Sequence, residues 1–138
     1  MNFYVDSSCI VRLFTGDGPP IPYRDDWSEA YASVLVRVEV RRALHRITID
    51  GSLDTRDIER AWIDLARVET GVQWLPLGDD ILTLASEPHT APLKTLDALH
   101  LATAQRVRET LAPDLFFATH DRQLASAAIA MGFEVVGL

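Results

Sequence analysis

Short, continuously apolar runs alternate with longer stretches of helical period along this chain, and that alternation constrains its fold more than any other feature. NFYV at residues 2–5 ends abruptly in Asp-Ser-Ser, VQWLPL occupies 72–77, LFFA occupies 115–118, and 133–136 give a last short run. Such runs are too short for helices and read as buried strands; another strand is expected near Tyr31–Ser33. Helix-like sequence covers Ser8 to Phe14, and residues 23–31 suggest a short helix leading into the Tyr31–Ser33 strand. From Leu35 to Ile49 the apolar positions Val36, Val40, Ala43, Leu44 and Ile47 keep the helix period. The next helix, capped by Asp54 or Thr55, shows Ile58, Ala61, Trp62 and Leu65 on one face. Residues 80–86 suggest a short helix, and Thr95 to Leu111 a helix apolar almost all round through ALHLATA. Leu124, Ala127, Ala128 and Met131 mark a last one. Gly51, Gly71 and Gly132 end three of these helices, and GDGPPIP at 16–22 is loop. Continuously apolar strands separated by helices predict a parallel sheet covered on both faces. The expected fold is α/β, a three-layer α/β/α sandwich with a short parallel sheet, spanning 1–138 as one domain.

An apolar fraction of 48% in 138 residues suffices for a core and argues against disorder. No apolar run would span a bilayer, and MNFYVDSS lacks the basic start of a signal peptide, so neither membrane insertion nor export is expected. Cys9, the single cysteine, can form no internal disulfide and fits a reducing cytoplasm.

Ligands of open parallel sheets bind at the carboxyl ends of the strands. Asp6 directly follows NFYV and Asp121 follows LFFATH, so the two meet if the first and fourth strands are neighbours. Asp97 lies in the first turn of the most apolar helix. Negative charge is favoured there, but Thr95 can cap that helix without it, and a carboxylate leading into ALHLATA needs a partner. Glu39, in VRVEVRRAL, would by itself read as half of a surface ion pair with Arg42. Asp79 and Asp80 follow VQWLPLG and are rival acids that read better as a helix cap; Asp114 stands at the amino end of a strand, away from such a site. Carboxylates gathered at one point repel, and Mg²⁺ or Mn²⁺, hard ions that prefer oxygen, would resolve the repulsion.

Other chemistries are weaker. His45, His89, His100 and His120 show no zinc-ligand spacing; each reads as surface or core, with His120 notable only for preceding Asp121. No phosphate-cradling glycine pattern exists. Ser7 and Ser8 lack the context of a hydrolase nucleophile and would cap the first helix or orient Asp6. Trp27, Trp62 and Trp74 suit core or interface rather than base stacking. The net charge of −7 argues against nucleic-acid binding. However, of thirteen basic residues only Lys94 is lysine; the rest are arginine, which grips phosphate bidentately. Arg12, Arg41, Arg42 and Arg46 are the candidates for phosphate contacts.

Four stretches in order, FYVDSSCIVRL, SVLVRVEVRRAL, TLDALHLATA and FFATHDRQLASAAIAMGFEVV, make the chain resemble a PIN domain, specifically the VapC-type ribonuclease toxins of bacterial toxin–antitoxin pairs. The resemblance covers nearly the full length. It implies a metal-dependent endoribonuclease that cuts transfer or ribosomal RNA, forms homodimers and is blocked by a cognate antitoxin. It implies Asp6, Glu39, Asp97 and Asp121 as catalytic and metal-holding acids, with Ser8 and Thr119 as the polar residues beside the first and fourth and Ser33 as the serine upstream of the second; Ser8 and Thr119, with Arg42 from the arginines above, are the residues expected to bind or orient substrate. Asp6 and Asp97 would hold Mg²⁺ or Mn²⁺ directly, with Asp121 and Glu39 completing the site. The competing readings are a structure-specific DNA nuclease and a non-catalytic PIN-like scaffold. An aspartate-nucleophile phosphatase would want an acid where Ser8 stands, and a receiver-type domain an acidic pair in its first loop and a lysine after a late strand.

Overall fold

The expected alternation forms as β1 (Asn2–Val5), α1 (Ser7–Thr15), β2 (Glu29–Ser33), α2 (Val34–Asp50), α3 (Thr55–Thr70), β3 (Val72–Leu75), α4 (Asp79–Ala85), α5 (Thr95–Thr110), β4 (Phe116–Ala118), α6 (Arg122–Ala130) and β5 (Glu134–Val136). These elements come from a computed structural model, which describes residues 1–16 and 28–138. Trp27, most of the GDGPPIP loop and the first part of the helix expected over 23–31 lie outside the described residues. Glu29–Tyr31, the end of that helix, is strand instead. The segment is held extended by pairing on both sides, Asn2 opposite Glu29 and Ala30 opposite Val72, and this pairing overrides local helix preference.

The five strands form one parallel sheet in the order β3-β2-β1-β4-β5. The β1 run is long enough only to cross the sheet, and its alternate side chains feed two cores. Phe3 and Val5 join Cys9, Ile10, Val36, Val40, Leu44, Ala61 and Leu65, which places α1, α2 and α3 on one face. Tyr4 and Phe117 join Leu101, Ala104, Val107, Leu124 and Ala127, which places α5 and α6 on the other. The three-layer α/β/α sandwich is therefore as expected. Phe3, Tyr4 and Phe117 are fully buried, each contributing about 2–3 kcal/mol of transfer free energy.

Helix boundaries follow local chemistry. Asp54 caps α3 by accepting from the Asp57 N–H at 2.8 Å, and Ser33 caps α2 by accepting from Leu35 N–H at 3.2 Å. Gly51 ends α2 at φ 74°, a left-handed conformation that favours glycine. Three capping expectations are corrected. Asp6 itself caps α1, so of the two roles expected of Ser7 and Ser8, capping and orienting Asp6, Ser8 fills the second. Lys94, with φ −70° and ψ 156°, is the last extended residue before α5, and Thr95 is already helical. Gly78 occupies the cap of α4 without a side-chain bond, so neither Asp79 nor Asp80 is the cap. Asp80 instead pairs with Arg106 at 3.2 Å.

Candidate functional site

The strand order reverses between β1 and β4, and chain crossovers leave in opposite directions there, opening a crevice beyond the strand ends. Asp6 follows β1, and Asp121 lies three residues beyond the end of β4. Asp79 and Asp80 follow β3 at the sheet's edge, two strands away from β1. Asp114 bonds Asn2 at the start of β1, the opposite end of the sheet.

Asp6 is 4% exposed. One of its oxygens accepts from the Ser8 N–H and the other from the Thr119 hydroxyl at 2.6 Å. Thr119, itself fully buried, also accepts from the Asp121 N–H at 3.0 Å. Asp121 caps α6, its Oδ1 accepting from Gln123 and Leu124 N–H at 2.8 and 3.1 Å. Ser8 Oγ accepts from the His120 N–H at 2.9 Å and lies 3.5 Å from Thr119 Oγ1. Ser8 and Thr119 thus lock the two strand-end aspartates to one another. The His120 ring bonds the Gly137 carbonyl rather than either acid. Gly137 sits at φ 103°, where an added Cβ would lie 2.7 Å from the Thr119 carbonyl oxygen, so the C-terminal strand end presses directly on the threonine that holds the site.

Asp97 stands in the first turn of α5, partly buried. Loss of solvation, first, and Asp121, second, push its carboxyl above the ordinary range; His100 pulls the other way, and smaller contributions from Asp6, upward, and Lys94, downward, follow. Three acids therefore feel one another across the crevice. None of them forms an ion pair with a cationic side chain among the described residues. Each lies at the start of a helix (α1, α5 and α6), where the macrodipole favours negative charge and partly offsets the repulsion.

The sign of this strain is testable. A carboxyl whose pKa is raised on folding contributes stability that is complete below its unfolded value and is lost as pH rises through its folded value. In metal-free protein at neutral pH, Asp97→Asn is therefore expected to raise Tm by roughly 1–3 °C, a screened effect at a partly exposed site. The gain should shrink as pH falls through the raised Asp97 pKa toward the ordinary carboxylate range. Thermal melts of both proteins from pH 4 to 8 read it, and a neutral-pH Tm below wild type would contradict it.

Glu39 enters the site differently. The expected Arg42 ion pair is not formed; Glu39 Oε1 meets His100 Nε2 at 2.7 Å, and Oε2 accepts from the Ser7 hydroxyl at 3.4 Å. His100 Nδ1 in turn meets the Tyr4 hydroxyl at 2.9 Å. Burial holds that hydroxyl well above the usual tyrosine range. Tyr4 and His100 were not among the expected site residues. The available signals were a tyrosine two positions before Asp6 on a buried strand, and a histidine one helical turn after Asp97 in an otherwise apolar segment.

A groove of about 690 Å³ opens beside Glu39, Ser7 and Ser8, between α1, α2 and the start of α5. Arg12, Arg42 and Arg46 line it over a floor that includes Val11, Val38 and Leu96. None of these arginines has a carboxylate partner among the described residues. Arg41, by contrast, is bound to Glu69, as is Arg37, so it faces away from the groove's business. Pairing thus sorts the arginines of α2 into structural and available ones.

Carboxylates at the switch point of a short parallel sheet define a class of α/β proteins with an acidic crevice. The PIN domain family model matches residues 3–130. Ribonuclease VapC46 of Mycobacterium tuberculosis is 34% identical, over 96% of this chain and 95% of its own. Ribonuclease VapC47 of the same species is 29% identical, over 94% and 92%. The structure of VapBC2 from Rickettsia felis, bound to a DNA fragment from its promoter, superposes with a TM-score of 0.64 at 10% identity, over 98% of this chain and 97% of that one. The chain belongs to the PIN domain family, in its VapC branch.

Proposed function

We infer that this chain is an endoribonuclease of the VapC type, the toxin of a toxin–antitoxin pair. Its kinship with the VapC ribonucleases supports the activity. The observation that carries the site assignment is the set Asp6, Asp97 and Asp121, three carboxylates sharing one crevice, none of them in an ion pair with a cationic side chain among the described residues.

That donor set fits a divalent cation. Its ligands are hard oxygens, and the mutual repulsion of the three acids is what a cation would relieve. No group of three acid, histidine or cysteine side chains closes round one point among the described residues. The fit is therefore to an ion such as Mg²⁺, which retains several waters and takes only one or two carboxylates, with Mn²⁺ as the alternative. Asp6 and Asp97 would hold it, with Asp121 and Glu39 completing the site. A bound cation supplies charge stabilisation for phosphoryl oxygens and acidifies a nearby water.

The chain's own residues do the remaining work. Thr119 and Ser8 keep Asp6 and Asp121 in fixed orientation, so little reorganisation is needed when charge develops. Arg42, with Arg12 and Arg46, would hold backbone phosphates along the groove and set the scissile bond against the acids. This concentration of unpaired arginine answers the objection from the net charge of −7, because affinity depends on local rather than total charge. Arg42→Glu with Arg46→Glu is expected to raise KM about tenfold or more and flatten its salt dependence, with kcat little changed. An unchanged KM would remove the groove from the substrate path.

The activity is tested with purified, antitoxin-free protein and total cellular RNA, in Mg²⁺, in Mn²⁺ and in chelator, beside Asp97→Asn. Discrete fragments that require metal and vanish in the variant are expected, and mapping their ends names the RNA, transfer or ribosomal. Matched DNA oligonucleotides should stay intact. Folded protein that cuts nothing in either metal would favour a PIN-like scaffold, the reading in which the acids are relics. No helix among the described residues is long and apolar enough to cross a membrane. A cytoplasmic site of action and a homodimer belong to this reading, as does a cognate antitoxin; light scattering with and without the antitoxin tests the two assemblies.

A further inference from the structure

A buried polar chain runs alongside the acid cluster and uses none of its three aspartates. It begins at the Ser33 N–H, which donates to the Tyr4 hydroxyl at 3.3 Å. It continues from Tyr4 to His100 Nδ1 at 2.9 Å and from His100 Nε2 to Glu39 Oε1 at 2.7 Å. Ser33 and Tyr4 are 0% exposed and His100 2%, whereas the Glu39 side chain at the chain's end is 24% exposed, at the groove. Buried hydroxyls and imidazoles are costly unless satisfied, so each link is held by the next.

Its connectivity is informative. Tyr4 stands on β1 two residues before Asp6, His100 stands on α5 three residues after Asp97, and Glu39 stands on α2. The chain therefore ties together the three elements that carry three of the site acids, bridging the two helical layers past the sheet. Proton counting orders it. The Glu39 carboxylate can only accept, which puts an N–H on His100 Nε2; with the ring neutral, Nδ1 then accepts from the Tyr4 hydroxyl, which itself accepts from the Ser33 N–H. Glu39 Oε1 is then committed to His100, which leaves Oε2, beside the Ser7 hydroxyl, as the carboxylate's other oxygen at the groove that Glu39 and Ser7 line.

We propose that His100, set by Tyr4, is a positioning residue that fixes the Glu39 carboxylate with one oxygen presented to the reacting phosphate. The catalytic part of this rests on the ribonuclease reading; the geometric part does not. A histidine that served the core alone would be satisfied by Tyr4 and packing, and removing it would cost the same whatever stands at position 39.

Two measurements on the full-length chain decide it. In metal-free protein, long-range ¹H–¹⁵N spectra of His100 should show one tautomer, protonated on Nε2, with slow solvent exchange that Glu39→Gln accelerates. Protonation on Nδ1, or exchange indifferent to Glu39→Gln, overturns the proposal whether or not the protein cuts RNA. In cleavage assays, His100→Leu should lower kcat about tenfold or more with KM within about twofold, and His100→Gln, which keeps an N–H for Glu39, should recover most of it. Tyr4→Phe, which keeps the buried ring, should lower kcat in the same direction. In a Glu39→Gln background, His100→Leu should cost less than about twofold further, because the two act through one bond. Losses that multiply in that background, or a His100→Gln no better than His100→Leu, would overturn it.

Discussion

Asp6→Asn is expected to cut RNA cleavage roughly a thousandfold, equivalent to about 4 kcal/mol of transition-state stabilisation, while leaving the protein folded. The two halves of this expectation have separate causes. Asparagine is as good a helix cap as aspartate, so α1 keeps the bond from the Ser8 N–H. The other side-chain position becomes an amide, which can donate to Thr119 Oγ1 where the carboxylate accepted from it. What disappears is the negative charge that Asp121 and Asp97 share the crevice with, and with it one of the two acids assigned to the cation. Initial rates on a mapped RNA substrate, read beside thermal melts, check both halves. A folded Asp6→Asn protein within tenfold of wild-type rate would mean that the chemistry lies elsewhere.

Thr119→Val is expected to be among the most destabilising substitutions near the site, at about 2–4 kcal/mol, or roughly 10 °C in Tm. Valine matches threonine in shape, so no cavity forms and the loss isolates the hydroxyl. That hydroxyl donates to Asp6 and accepts from the Asp121 N–H, and its residue is fully buried. Its removal strips a buried carboxylate oxygen of its donor and a backbone N–H of its acceptor, and desolvated groups left unpaired are costly. Thr119→Ser, which keeps the hydroxyl, should recover most of the stability. A Thr119→Val protein melting within a degree or two of wild type would show that water replaces the hydroxyl without penalty and that Asp6 is not held by it.

The sequence alone determined the architecture and singled out three of the acids proposed for the site. Strands β1 and β4 were legible because a continuous apolar run can be buried on both faces only in a covered parallel sheet, and the acids were legible because they break those runs at their ends. Asp6 directly follows such a run, Asp121 stands three residues beyond one, and Asp97 lies in the first turn of a largely buried helix. Local pattern did not decide neighbouring choices of similar cost: Asp6 rather than Ser8 as the cap of α1, Lys94 rather than Thr95 before α5, and extended rather than helical backbone at Glu29–Tyr31. Only the tertiary structure decided the strand order that brings β1 beside β4, and which arginines Glu69 takes out of play. It also decided the partners of Glu39. Position 39 carries no local sign of them, because His100 lies 61 residues away and is itself held by Tyr4, 96 residues before it. Periodicity records which face of an element is buried; it carries no record of which distant polar group waits there, because that contact exists only once both helical layers have closed over the sheet.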